Sequence, residues 1–349
     1  MKTYRMPLKF SNKKYKHVRV VSYSFITNNN YYHFGICLPE LRLIFNKENL
    51  SNKFVNIQKN YIDVEEVENW KDGKMIDINK IEFKKFPGGE LHITDTWKQH
   101  WEATRYDNEQ AICRIQNSDD LMKLCLFTDA FKRVFEKLPR LVIPYFPYAR
   151  QDRVPTEGEA LSVKVFANII NSLGYPSVTI LDPHSDVCTA LIENVEVIPQ
   201  WNIWGSQLVK WSAEDKLDNF DLIAPDAGAL KKIYKLQEFV GNSRCRNVRV
   251  GTKHRDTQTG KITGTSVDGQ PFNKTGIIVD DICDGGRTFI ELGKVIRKDY
   301  DRLILCVTHG IFSNGLEPLN IFDEIYSVDT WNGQLEDFMN LKVIKLNEL

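Results

Sequence analysis

The chain has no surplus of charge of either sign: its 349 residues carry 46 Lys and Arg against 46 Asp and Glu. Without a net field, the sequence points away from nucleic acid and anionic membranes as partners, and the expected ligand is small. Long apolar runs are also missing, since no segment reaches the roughly 18 consecutive apolar residues that a membrane span needs. The opening MKTYRMPLKFSNKKYKHVRV has no apolar core of the signal-peptide kind. Seven cysteines (37, 113, 125, 188, 245, 283, 306) occur with no C-x-x-C pair and in an odd total. That usage fits a reducing compartment better than a disulfide framework, and the expected localisation is cytoplasmic. The length exceeds the roughly 250–300 residues at which single cores tend to split, so two domains are expected.

What is present centres on Ile277 to Thr288, IIVDDICDGGRT. Ile277, Ile278 and Val279 form a β-branched run of the buried parallel-strand kind, followed at once by Asp280 and Asp281. Asp284-Gly285-Gly286-Arg287-Thr288 then leads into a segment with Phe289, Leu292, Val295 and Ile296 at helical spacing. A Gly-rich turn between strand and helix presents backbone N–H groups and a helix N-terminus to one anion, which makes it a phosphate cradle. The paired carboxylates suit ribose hydroxyls or a hydrated magnesium ion. From spacing alone, an ordinary surface loop with Asp284 and Thr288 as helix caps stays open.

Elsewhere, residues 1–80 carry aromatic and β-branched runs (Val18 to Phe25, Tyr31 to Leu38, Leu41 to Phe45) between Asn-rich turns. Strands and hairpins are expected there, with a polar link near Asp63 to Asp77. IEFKKFPGGELHI reads as two strands around a Pro-Gly-Gly turn, and a helix is expected from Asp119 to Lys137. LVIPYFPYARQDR reads as a buried strand, stopped by Pro144 and Pro147, that delivers Arg150-Gln151-Asp152-Arg153 at its carboxyl end. An Arg fork beside an amide suits a nucleotide, although a solvated loop reads equally well on charge alone. After a helix around Ser162 to Leu173, VTILDPHSD ends a strand with Asp182, His184 and Asp186. Alternation along that strand would point Asp182 and His184 at one ion. DLIAPDAGALKK repeats the plan of strand, acidic tip (Asp226) and helix, which suggests a duplicated α/β fold with its site between the halves.

These motifs, in this order over roughly residues 81–330, resemble the ribose-phosphate pyrophosphokinase family, whose loop is two acids, two variable residues, then D-T-G-G-T. The resemblance implies two phosphoribosyltransferase-like α/β domains with mainly parallel sheets: 81–200 on the ATP side and 201–330 on the ribose-phosphate side. A strand-rich extension (1–80) and a tail (331–349) flank them. It implies transfer of the β,γ-diphosphoryl group of ATP to the anomeric hydroxyl of a 5-phosphorylated ribose, with AMP released and magnesium as cofactor. By position, Phe86, Glu90, Arg150, Gln151 and His184 would bind ATP. Asp226, Asp280, Asp281, Asp284, Gly285, Gly286, Arg287 and Thr288 would bind the ribose phosphate. His184, Asp182 and Asp226 would meet the metal, and Lys253 and Arg255 would be the catalytic cations on a flap. Phe86 acts across a subunit contact in that family, so a homo-oligomer, dimer or hexamer, is implied.

The departures carry information too. Gly88 stands where the family has Asp, and Glu157 and Glu159 replace basic residues of a regulatory neighbourhood, so weak inhibition by nucleoside diphosphates is expected. Gly285 replaces a Thr and Arg287 a Gly. The added cation suits an acceptor whose 5-phosphate carries a further group, and ADP-ribose, feeding an NAD-rebuilding pathway, is the alternative acceptor to ribose 5-phosphate. A non-catalytic regulatory homologue and a phosphoribosyltransferase are the remaining alternatives.

Overall fold

The computed structural model describes residues 3–7, 25–26, 31–35, 42–46, 53–58, 61–66, 75–98, 110–135, 137–255, 262–333, 335–346 and 349. The chain falls into two compact units, Met1–Lys74 and Met75–Leu349. The first has two antiparallel three-stranded sheets: β1 (Thr3–Pro7), β6 (Tyr61–Glu66) and β5 (Lys53–Gln58) in one, and β2 (Phe25–Ile26), β3 (Tyr31–Gly35) and β4 (Arg42–Asn46) in the other. The polar link expected near 63–77 is narrower than its composition suggests. Tyr61–Glu66 alternates apolar and polar residues and pairs on both sides, and Met75–Asp77 is already a strand of the second unit. The residues of the Val18 to Phe25 run before Phe25 lie outside the described residues.

The second unit holds two large sheets. In the five-stranded one, β13 (Val195–Ile198), β12 (Val178–Leu181), β11 (Arg140–Ile143), β10 (Gln110–Ile112) and β7 (Met75–Asp77) are all parallel. In the seven-stranded one the order is β16 (Ile262–Asp268), β15 (Asn247–Arg255), β14 (Phe220–Ala224), β17 (Thr275–Cys283), β18 (Arg302–Gly310), β19 (Glu324–Val328) and β20 (Leu341–Ile344). Only the β15–β16 pair is antiparallel. The expected α/β class with mainly parallel sheets is what the chain forms. The residues set apart as a tail contribute β20, which pairs with β19 through Ile325 and Leu341 because its apolar positions complete the sheet's buried face. A small hairpin, β8 (Phe83–Lys85) and β9 (Leu91–Ile93), forms around the Pro-Gly-Gly turn.

The helices follow the apolar spacing. α1 (Ser118–Val134) starts where the Asn117 side chain accepts from the Asp120 N–H, and it buries Leu124, Phe127 and Phe131. α2 is Ser162–Ser172, α3 Asp186–Leu191, α4 Gln200–Ala213, α5 Leu230–Val240 and α6 Arg287–Ile296. α6 buries Phe289, Leu292 and Ile296, each worth roughly 1.5–3 kcal/mol of apolar burial. One core cluster runs through both sheets: Ile112, Val142 and Leu181 of the first pack with Trp204 and Leu208 of α4 and with Leu222, Ile277 and Ile304 of the second. That shared packing brings the carboxyl ends of the two sheets together.

Candidate active site

In the seven-stranded sheet the chain runs outward one way from β14 to β15 and the other way from β17 to β18. Such reversals leave a crevice at the carboxyl ends of the two central strands, and ligands of open α/β sheets bind there. Asp226 follows β14, and its Oδ1 accepts from the Gly228 and Ala229 N–H groups at 3.0 and 3.3 Å, which fixes the turn into α5. Asp280 and Asp281 lie on β17, and Asp280 Oδ1 accepts from the Asp281 N–H at 2.9 Å. Burial, with Asp281, Asp226 and Asp182 close by, pushes the Asp280 carboxyl well above the usual range.

The loop after β17 is braced on all sides. Gly286 is the N-cap of α6 with φ +73°, a left-handed conformation that glycine adopts without cost, and a Cβ there would stand 3.1 Å from Leu319 Cδ2. A Cβ on Gly285 would meet Asn314 Nδ2 at 2.8 Å, and that amide donates to the Gly285 carbonyl at 3.1 Å. The Ser313 N–H donates to the Asp284 carbonyl at 3.2 Å. The Ser313 side chain, with help from Arg150, holds the Asp284 carboxyl below its ordinary value. The N-terminus of α6 thus faces a cavity of about 330 Å³, as an anion cradle would.

The first half supplies the opposite wall. Arg150 and His184 line the same cavity as Asp226, Asp280, Asp281 and Asp284 to Thr288. Arg150 Nη1 donates to Asp284 Oδ2 at 3.0 Å, although both side chains remain exposed, at 50% and 38%. His184, 39% exposed, places Nδ1 2.7 Å from Asp281 Oδ2. That hydrogen bond raises the imidazole's affinity for its proton against the effect of burial. For Asp281, burial works to raise the carboxyl, but His184 and Lys232 outweigh it and hold it ionised. Of the two acids expected to face ribose hydroxyls, Asp281 has one oxygen already bonded within the protein.

Asp182 stands elsewhere. The strand ends at Leu181, and Asp182 takes a left-handed φ of +37°, so the period-two alternation that would have aimed it alongside His184 is broken. It is 1% exposed and does not line the cavity. Its Oδ1 accepts from Lys232 Nζ at 2.7 Å, and its Oδ2 from Thr308 Oγ1 at 2.7 Å and Gln200 Nε2 at 3.1 Å. Among the described residues, no group of three His, Cys, Asp or Glu side chains is placed to hold a metal ion by itself. His309 is buried, with Nε2 3.1 Å from the Leu181 carbonyl and Nδ1 2.8 Å from Thr330 Oγ1. Burial lowers its affinity for a second proton.

Two groups of expected site residues lie apart from the cavity lining. Phe86 and Glu90 are on the exposed turn of the β8–β9 hairpin, with Lys84 Nζ 4.9 Å from the Phe86 ring centroid. Gln151 is exposed, and its N–H donates to the Tyr148 carbonyl at 2.8 Å. Lys253 and Arg255 end β15, opposite Thr265 and Ile262 of β16, and their side chains lie outside the described residues. Sequence reading missed Lys232, Ser313 and Asn314. A lysine in the first turn of a helix opposes the dipole, and that was the available cue that an acid partner awaited Lys232. Ser313 and Asn314 come from a loop distant in sequence and carried no cue.

Site and fold together give the second unit two large, mainly parallel sheets, with a helix N-terminus at the switch point of one and Arg150 and His184 from the half built on the other lining the same cavity. Residues 72–174 match the family model described as the N-terminal domain of ribose phosphate pyrophosphokinase. The chain is 32% identical over 202 residues to the ribose-phosphate pyrophosphokinase of Thermosipho africanus, covering 57% of this chain and 61% of that protein. It is 30% identical over 248 residues to that of Prochlorococcus marinus, covering 69% and 72%. The fold matches a crystal structure of phosphoribosylpyrophosphate synthetase from Mycobacterium smegmatis with a TM-score of 0.61 at 21% identity, over 76% of this chain and 86% of that one. The chain belongs to the ribose-phosphate pyrophosphokinase family.

Proposed function

We propose that the protein transfers the β,γ-diphosphoryl group of ATP to the anomeric hydroxyl of ribose 5-phosphate. The observation that carries this reading is the single cavity shared by Arg150 and His184 from one half and Asp226, Asp280 and Asp284 to Thr288 from the other. The acceptor's 5-phosphate sits at the Gly285–Thr288 cradle, and Asp226 and Asp280 face its hydroxyls. Arg150 and His184 meet the nucleotide's phosphates. The anomeric oxygen attacks the β-phosphorus, the bond from that phosphorus to the α,β-bridging oxygen breaks, AMP departs with that oxygen, and the hydroxyl proton is released. Such a transfer depends on positioning and charge neutralisation rather than covalent catalysis.

Magnesium enters with the nucleotide as part of the substrate. Carboxylates at the cavity, with phosphate oxygens and water completing the shell, fit the way this hard cation is held, and they need no preformed protein cage. Lys253 and Arg255, on the strand leading to residues 256–261, are the cations proposed to cover the transferring group. Phe86 and Glu90, which do not line their own chain's cavity, would serve a neighbouring copy's nucleotide, which makes the working form a homo-oligomer.

ADP-ribose is a second acceptor that one observation favours. Arg287 is exposed on the cavity wall at the first residue of α6, where a phosphate beyond the first would meet a cation. The test is ATP-dependent AMP release with ribose 5-phosphate and with ADP-ribose, side by side. Release with ribose 5-phosphate supports the main reading, faster release with ADP-ribose moves the assignment to it, and none with either defeats both.

A further inference from the structure

Lys232 has no part in the transfer just described, yet it is placed with care. Its Nζ donates to Asp182 Oδ1 at 2.7 Å, to the Pro183 carbonyl at 3.0 Å and to Asp281 Oδ2 at 3.5 Å. An ammonium group has three N–H bonds, and each has an acceptor. The residue stands in the first turn of α5, at the positive end of that helix, so the two carboxylates offset an unfavourable position. Asp182 cannot follow Lys232 if it moves, because Thr308 and Gln200 hold its other oxygen and the Trp204 indole N–H in turn holds Thr308 at 3.0 Å. Among the described residues, Asp281 has no such anchor. Its Oδ2 is shared between Lys232 and His184 Nδ1. The chain of contacts thus runs from the buried core, through Lys232 and Asp281, to a ring that opens on the cavity.

We infer that Lys232 is a positioning residue: it fixes the Asp281 carboxylate, which holds the His184 ring by Nδ1 and leaves Nε2 for the ligand. The nucleotide side of the site is thereby set by a lysine from the other half of the molecule, on a helix that does not line the cavity. The inference rests on the proposed reaction for the ligand that His184 meets. The placement of the ring does not depend on it.

The test uses the full chain with magnesium and ATP, comparing Lys232→Met, Lys232→Arg, His184→Ala and the Lys232→Met/His184→Ala double variant. Partners that orient a ligating histidine are commonly worth about 10–100-fold, so Lys232→Met should lower kcat/KM for ATP by that order, with a larger rise in KM for ATP than for the acceptor. Lys232→Arg, which can still bridge two carboxylates, should recover most of it. The double variant should be no worse than His184→Ala alone, because both changes remove one pathway. Independent, multiplying losses with KM for both substrates moved equally would overturn the inference. Should Lys232→Met fail to fold, Lys232→Gln takes its place, and the ¹⁵N spectrum of the His184 ring gives a second readout that needs no turnover. One tautomer, protonated on Nδ1, is expected in the parent and a mixture in Lys232→Gln; an unchanged spectrum overturns the positioning role. Absence of AMP release in the parent chain would defeat the proposed reaction while leaving that spectral test intact.

Discussion

Two loops leave the carboxyl ends of parallel strands and enter one cavity, yet they are built to different standards. The loop after β17 is held from behind by Ser313 and Asn314, capped by a left-handed glycine and continued by a helix with a buried apolar face. The loop after β11 is anchored mainly through its first half. Tyr145 packs on His309 and Trp331 with ring centroids 5.0 and 5.3 Å apart, and Phe146 packs on Phe166 at 5.0 Å. From Arg153 to Ala160 every residue is exposed. The contrast teaches which half of the proposed site is the more firmly braced: the proposed acceptor loop is held by its own surroundings, and the proposed nucleotide side is tied to it by the bonds of Arg150 to Asp284 and His184 to Asp281.

The comparison breaks most easily at Gly286. A Gly286→Val change puts a β-branched residue in a left-handed conformation and against Leu319, and should destabilise the fold by about 1–3 kcal/mol. The acceptor KM should rise with it; a melting curve and acceptor kinetics check both. Gly285→Thr, which restores the residue usual at this position of the loop, should be the next largest. The added Cβ meets Asn314, at a cost of about 1 kcal/mol by overpacking. Adding Asn314→Ala should return the acceptor KM toward that of the parent, and if it does not, the brace has been assigned to the wrong residue.

A smaller effect is expected from pH. His184 binds its proton more tightly in the folded state, so the stability this adds is fully present below the ordinary histidine value and disappears as pH rises through the elevated one. Asp281 is held below its ordinary value, so its contribution is present above the usual carboxylate range and disappears only on strong acidification. The melting difference between the parent and His184→Gln should therefore be largest between about pH 4 and pH 6.5 and shrink above that window. A difference that grows toward alkaline pH would contradict the pairing. Least of all, Arg150→Ala should change stability by less than about 1 kcal/mol, because both it and its partner are open to solvent. Its effect should appear in the KM for ATP alone, and a large drop in melting temperature would show this loop to be as firmly built as the other.

Much of the second unit was legible in the residues. Strands such as Ile277–Val279 and Leu141–Ile143 are continuous apolar runs, and parallel strands buried on both faces have to be written that way. The acidic and glycine-rich segments marked the carboxyl-end region of those strands, although Asp280 and Asp281 still lie on β17, and Asp226, Asp280, Asp281 and the Asp284–Thr288 loop do line one cavity. Asp182 was misread because periodicity says nothing about where a strand stops, and one left-handed residue reversed its direction. Lys232 and Asn314 escaped because their importance is a matter of contacts between segments 49 and 29 residues apart, which no local pattern encodes. Residues 331–349 looked like an appendage for a similar reason, since a four-residue edge strand has too few positions to show a period.

The apolar cluster that includes Trp204 draws side chains from both sheets into one interior. Neither half is therefore a portable module. If the gene were split near residue 199, each fragment would present a broad greasy face to water, and the fragments should aggregate unless they find one another again.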